Sequence, residues 1–423
     1  MNTKAFETYE SEVRSYCRNF PAVFTTAKGP FLYDEDGREY IDFFCGAGGL
    51  NYGHNNDYIK SRLLSYLESD GVMHALDMYT VPKREFIEFY EEKILKPRGL
   101  NYKIQFAGPT GTNAVEAALK LARKVKKRTN IFAMMGAFHG MTLGSIAMTT
   151  DASSRAGAGV PLTNVTHIPA PYMFPELDTL NYIETLLTDD HSGVDKPAAI
   201  VLETVQADGG INVFDVEWLK GIRAICDKHD ILMVVDDVQV GCARTGTFFS
   251  FERAGIVPDI VTQSKSIGGY GMPFALVLIR PELDLWEPGE HNGTFRGYQL
   301  SMIAAKAGLE VMLNEHVEER VQKLSAVIAQ AMEEIQALSP EKIKTRGMGF
   351  VWGVDFWRFD HDGVTSKKVL DECFKNGLIV ERVGRGNTVV KVMPELLIEE
   401  ETLKKGLDIL KNSISNVIRG KCQ

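Results

Sequence analysis

Two neighbouring stretches decide how this chain is read: ILMVVDDVQVGCARTG, residues 231–246, and PDIVTQSK, residues 258–265. In the first, an apolar run delivers two acids, Asp236 and Asp237, with Gln239 close behind. In the second, a shorter apolar run delivers Lys265 between Ser264 and Ser266. Strand alternation sends adjacent side chains to opposite faces, so only one of the two acids can meet a given ligand. A carboxylate at one strand end and a lysine at the next suit pyridoxal phosphate (PLP). The lysine holds that cofactor as a Schiff base, and the carboxylate keeps the pyridine nitrogen protonated so that the ring accepts electrons. A loop lysine is most often just solvated. Here the small residues around Lys265 leave space for a ring, and desolvation after a buried strand lowers an amine's pKa, which suits imine chemistry.

Outward from these stretches the pattern alternates strand and helix from about residue 58. Apolar runs at 131–134, 198–205, 231–235, 259–262 and 274–279 read as strands, and 113–128 and 218–229 as amphipathic helices. Near-continuous apolar strands separated by helices predict an α/β chain with a large, mostly parallel sheet covered on both faces. Ligands of such sheets sit at the carboxyl ends of the strands, where Asp236 and Lys265 lie. Before this region, FLYDEDGREYIDF reads as a hairpin turning at Asp36-Gly37, and CGAGGLNYGHNN as a loop. After it, one long helix is predicted over 300–334. A smaller C-terminal α/β part follows, with strands in GFVWGVDF and NTVVKVMP and a helix over 367–376. The expected division is an N-terminal segment 1–57 that packs with the small domain, a large cofactor-binding domain 58–310, and a small domain 311–423.

Several further residues carry chemistry. The run GPTGTN, residues 108–113, opens a helix with glycines and hydroxyls. Free N–H groups and the helix dipole make such a start a site for a single phosphate, although Thr112 as a plain N-cap is the bland alternative. No G-x-x-x-x-G-K-[ST] loop or strand-borne G-x-G-x-x-G is present, which disfavours a nucleotide. Phe138-His139-Gly140 follows a strand, and Phe138 suits either ring stacking or core packing. Glu203 ends a buried strand and needs a partner there, and Asp208 in the next turn faces a possible substrate.

The composition excludes other classes. Net charge is −9 and the pI about 5.6, so no broad positive field exists for nucleic acid or an anionic membrane. Six cysteines, Cys17, Cys45, Cys226, Cys242, Cys373 and Cys422, form no CxxC pair, and no zinc-type cluster or HExxH helix is present. The polar N-terminus and the lack of a roughly 18-residue apolar run make the cytoplasm the expected location.

The ordered motifs GPTGTNAVEAALKLAR, FHGMT, LETVQADGG, VVDDVQVGCARTG and DIVTQSKSIGGYGMP resemble those of class III PLP-dependent aminotransferases, of fold type I. The likeness spans essentially the whole chain. It implies Lys265 for the Schiff base, Asp236 for the pyridinium, Gln239 near the ring hydroxyl, Phe138 for stacking with His139 beside it, and Gly111 and Thr112 for the phosphate. It also implies that Thr294 in HNGTFRG reaches the phosphate bound by the other subunit. A homodimer with shared active sites is then the minimal unit, with a tetramer as a further possibility.

Within that family, IDFFCGAGGLNYGHNN, LKPRGL, SGVDKPAAIVLETVQ, FFSFERAGIVPDIVT and GEHNGTFRG are most similar to diaminobutyrate–2-oxoglutarate transaminases of the ectoine pathway. This narrower resemblance implies amino transfer from glutamate to aspartate semialdehyde. The alternative is another ω-amine transaminase of the family. Two positions depart from the general class III pattern. Ala207-Asp208 stands for glycine-glutamate, the glutamate being the family's gate over a substrate-binding arginine. Lys391 stands where that arginine is expected, a point charge in place of a planar fork, as the ectoine-type enzymes also have it. Lys391, Asp208 and Glu203 are therefore the substrate-binding candidates.

Overall fold

A computed structural model describes residues 2–420; Met1 and residues 421–423, with Cys422, lie outside the described residues. At its centre seven strands lie in the order Lys103–Gly108, Ala275–Ile279, Ile260–Gln263, Leu232–Asp236, Ala199–Leu202, Ile131–Met134, Val165–Ile168. Ala275–Ile279 runs antiparallel to both neighbours, and the pairings from Ile260–Gln263 onward are parallel. The sheet is thus mixed and mostly parallel, and the chain is α/β.

The continuous apolar character of these strands has a direct cause. Met233, Val235, Ile200, Leu202, Phe132 and Met134 point into one core, and Leu232, Val234, Ala199, Val201, Ile131 and Ala133 into a second. Alternation sends half of each strand to each face, and both faces are covered, so neither half can be polar. The second core is closed by the helix Gly111–Lys126, whose buried side is largely alanine, with Ala114, Ala117, Ala118 and Ala122. Small side chains let that helix approach the sheet closely, and its last turn carries Arg123, Lys124 and Lys126, which favour the negative end of the dipole.

The predicted hairpin is present, with Phe31–Asp34 antiparallel to Glu39–Asp42 and Gly37 at φ +78° in its turn. Its sheet is completed from the far end of the chain by Leu378–Ile379, which pairs in parallel with Ile41 and Asp42. A further four-stranded antiparallel sheet runs Lys344–Met348, Val351–Asp355, Val389–Val392, Glu381–Val383. Arg244, with no exposed surface, ties these parts to the centre: its guanidinium donates to the carbonyls of Phe350 and Pro394 and to Asn51.

Three expectations are corrected. The long helix over 300–334 is two helices, Gln299–Asn314 and Val317–Ala337, broken where His316 takes a left-handed φ of +49°. The strand over 198–205 ends at Leu202, and Val205–Gln206 pairs instead with Asn212–Val213 in a separate small hairpin. The first helix of the sheet starts at Gly111, two residues early. Its N-cap is Thr110, whose backbone N–H and hydroxyl donate to Asn113 Oδ1, so Thr112 lies inside the first turn and is not the cap.

Candidate active site

The strand ends converge on a cavity of about 290 Å³ at the carboxyl edge of the sheet, lined by Gly111, Thr112, Phe138, His139, Glu203, Asp208, Asp236, Gln239 and Lys265 among others. Nine of the residues singled out from the sequence therefore meet in one place. Lys391 joins them through Asp208, as described below. Thr294 does not: it sits exposed in the short turn Thr294–Gly297, outside this cavity.

Asp236 is the last residue of its strand and is buried. Oδ2 lies 2.7 Å from His139 Nδ1, and Oδ1 accepts from the Thr262 hydroxyl at 3.1 Å and the Val238 N–H at 3.2 Å. These contacts fix the plane of the carboxylate. Asp237 turns the other way and accepts from the Ser250 N–H, and burial pushes its carboxyl up to about 7. Adjacent acids are thus separated onto two faces, as strand alternation requires.

Lys265 begins a 3₁₀ turn, Lys265–Gly268, directly after the strand Ile260–Gln263 and Ser264. Its backbone lies in the left-handed region, φ +52°, which costs a residue with a Cβ about 1–2 kcal/mol. The turn is what lifts the side chain off the sheet and into the cavity. Burial lowers the amine's pKa from its ordinary value, with Asp208 opposing and Lys391 adding to the fall.

At the cavity's other end stands the start of Gly111–Lys126, where the first N–H groups have no partner within the helix. Gly111 is required by close approach: a Cβ there would lie 2.9 Å from Val238 Cγ1. Thr112 Oγ1 is 2.7 Å from Thr142 Oγ1 and 2.8 Å from Ser145 Oγ, so its hydroxyl is oriented by a small network. Glu203 is buried just past its strand and accepts from the Phe138 N–H at 3.1 Å. Burial first, then the charge of Asp236, pushes its carboxyl well above the ordinary carboxylate range. Gln239 Nε2 donates to the Ala47 carbonyl at 3.0 Å, which brings the glycine-rich N-terminal loop to the rim.

Lys391, 1% exposed, lies between two carboxylates, 2.9 Å from Asp208 Oδ1 and 2.6 Å from Glu381 Oε2. Burial alone would lower the ammonium's pKa, but the two carboxylates hold it well above the ordinary lysine value. Burial would likewise raise Asp208, and Lys391 and Lys265 more than offset that, so Asp208 stays below the usual carboxylate range. The phenol of Tyr16 lies against this cluster; burial first, then Glu381 and Asp208, pushes it up to about 12. Sequence reading missed Glu381 and Tyr16. Glu381 is brought to Lys391 by antiparallel register, Glu381↔Lys391, which no short motif encodes. Tyr16 comes from a polar N-terminal stretch with no periodic signal.

The chain belongs to the class III aminotransferase family, whose model matches residues 13–414. Enzymes of this class work with PLP, and that is the cofactor of this chain. The residues fit it: an anion-ready helix start, a fixed carboxylate and a desolvated amine line one cavity. The chain is 51% identical over 414 residues to a diaminobutyrate–2-oxoglutarate transaminase of Sporosarcina pasteurii, covering 98% of this chain and 97% of that protein. It is equally similar, 51% over 418 residues and with the same coverages, to the enzyme of that name from Halalkalibacterium halodurans. Among solved structures it matches an S-selective transaminase from an Arthrobacter species, TM-score 0.89 at 21% identity, covering 100% of this chain and 98% of that one. It also matches the ornithine aminotransferase of Toxoplasma gondii, TM-score 0.84 at 24% identity, with coverages of 99% and 95%. These two likenesses show the fold.

Proposed function

We propose that this chain transfers an amino group from L-glutamate to L-aspartate 4-semialdehyde, giving L-2,4-diaminobutyrate and 2-oxoglutarate. The observation that carries this reading is half identity, over nearly full length on both sides, to proteins named for that reaction. The same agreement disfavours another ω-amine transaminase of the family. Asp208 lines the cavity and Lys391, paired with both Asp208 and Glu381, lies behind it, which supports these two as the substrate end.

When bound, PLP supplies an electron sink for the carbon that loses a proton. The chain's own residues do the rest. Gly111 and Thr112 would bind the phosphate at the helix start, and Thr294 of a second subunit would reach the same group. Phe138 would stack on the ring, and Gln239 would orient its hydroxyl. Asp236, held in plane by His139 and Thr262, would pair with the ring nitrogen and keep it protonated. Lys265 would be the covalent anchor, and its lowered pKa suits it to take and return the substrate carbon's proton at Nζ. Lys391 takes a substrate carboxylate when Asp208 lets go of it.

The reading extends to a homodimer with shared active sites, open to pairing as a tetramer, working in the cytoplasm without a nucleic-acid or membrane partner. The proposed division is 1–57, 58–310 and 311–423. Among the described residues no helix is long and apolar enough to cross a membrane. The pathway we favour is ectoine formation. Rates of purified holoenzyme with 2-oxoglutarate and diaminobutyrate, ornithine, 4-aminobutyrate or acetylornithine test the activity. Diaminobutyrate is expected to give the highest kcat/KM, and a faster reaction with any of the other three overturns the assignment.

A further inference from the structure

A second cavity, of about 330 Å³, lies on the other side of the loop that carries Asp208. Lys344, Arg346, Arg358 and Arg385 line it, and Asp355 is its one carboxylate. That carboxylate is fully engaged inside the protein. It accepts from Arg346 Nη1 at 2.7 Å, from the Trp357 N–H at 2.8 Å and from the Thr388 hydroxyl at 3.2 Å. Lys344, Arg358 and Arg385 have no carboxylate within 4.0 Å among the described residues. Three uncompensated cations around one concave surface are the reverse of the chain as a whole, whose net charge is −9. Their mutual repulsion is relieved by an anion that several of them reach at once, and guanidinium groups bind oxyanions through paired, charge-assisted hydrogen bonds.

We propose that this cavity binds a small multivalent oxyanion, a phosphate- or carboxylate-bearing metabolite, and that its occupancy is felt at Asp208. The coupling is visible in the hydrogen bonds. The Tyr172 hydroxyl, from one wall, donates to Gln206 Oε1 at 2.7 Å. Arg346 Nε donates to the Gly210 carbonyl at 2.8 Å. The N–H of Gly384, the residue before Arg385, donates to the Asp208 carbonyl at 2.9 Å. Residues 206–210 are thus fastened at three points, two of them, at Asp208 and Gly210, by segments that bear the cavity's cations. An anion that draws Arg346 and Arg385 together shifts the backbone on both sides of Asp208, and with it the contact between Asp208 and Lys391. The kinetic half of the proposal rests on the reading of Lys391 as the substrate carboxylate's partner; the binding half does not.

The test is calorimetric titration of holoenzyme with pyrophosphate and, separately, citrate, against potassium chloride at matched ionic strength. One saturable site per chain is expected, with affinity at least tenfold weaker in the double variant Arg358→Ala, Arg385→Ala. Tighter pyrophosphate than citrate points to a phosphate ligand, and the reverse to a carboxylate. At saturating anion the KM for glutamate should shift in the wild type and stay unchanged in the double variant, whose activity without anion is normal. Absence of saturable binding, or equal binding by the double variant, overturns the site. Binding without any change in KM overturns its coupling to Asp208. Should the enzyme prove to use another amine, the titration result stands unchanged.

Discussion

The two ends of the cavity are built on opposite principles. At the cofactor end, Asp236, His139, Thr262 and Lys265 sit on or just past strand ends of one sheet, and each contact has a single arrangement. At the substrate end, Lys391 is shared by two carboxylates that differ in mounting. Glu381 is on a strand in register with Lys391, whereas Asp208 is on the loop 206–210. The first end is fixed because its chemistry needs one geometry in every turnover. On the proposed reading the second is exchangeable because two different substrates would take turns there, and a substrate carboxylate reaching Lys391 would displace one of the two.

The largest effect is expected where the fixed end loses its amine. Lys265→Ala should lower turnover by about 10⁴-fold or more, since both proton transfer and covalent anchoring go. The visible absorbance of covalently held cofactor should vanish in the same variant. Turnover near wild type would break the account of this end. Next in size is Asp236→Ala, expected to lose about 10²–10³-fold in kcat, as for a preorganised charge in a buried site. Cofactor retention on dialysis should drop as well, and a variant that keeps kcat would show that the carboxylate only caps its strand.

How much of this was legible beforehand follows the same divide. The cofactor end was readable because its residues are local: apolar runs mark the strands, and the acid or lysine comes at the end of a run. The double core explains why those runs are uninterrupted, with Val235 and Val234 serving opposite faces. The substrate end was half readable. Asp208 was marked by its place in the turn after a buried strand, Lys391 only through family likeness, and Glu381 was not found because strand register is a long-range property. The break at His316 was also hidden, since the residues on either side keep a helical pattern and only a single left-handed residue parts them.

Removing the two carboxylates one at a time separates fixed from exchangeable. Asp208→Asn removes the group that competes with substrate, so the KM for glutamate should fall about threefold. Glu381→Gln releases Lys391 toward Asp208, so that KM should rise about tenfold, or about 1.4 kcal/mol. Shifts of the same sign in both variants would show that the two acids are equivalent. The pair's pH range follows from its directions. Asp208, held low, contributes stability above the ordinary aspartate value of about 3.9, lost as pH falls through its own lower pKa. Lys391, held high, contributes below about 10.4, lost as pH rises through its own higher pKa. The KM for glutamate should therefore be flat between about pH 5 and 9 as far as this pair governs it.

The smallest expected effect concerns a buried carboxyl with no such partner. Glu395, four residues after Lys391, is 5% exposed, and its Oε2 has no hydrogen-bond partner. It fits only because Gly53 lacks a Cβ, which would fall 1.9 Å from that oxygen. Burial, then the charges of Asp42 and Glu399, push the carboxyl up to about 8, with Arg320 opposing. A raised acid binds its proton more tightly folded than unfolded. Its neutral form therefore carries no penalty below about pH 4.3, and stability declines as pH rises from there to about 8. Glu395→Gln removes the ionisation, so its Tm should exceed wild type by a few degrees at pH 8.5 and match it at about pH 4. Activity should not change at either pH. A variant equally destabilised at both would mean that Glu395 is held by a contact rather than by the lack of one. The contrast with Lys391, which keeps its charge because two carboxylates surround it, would then fail.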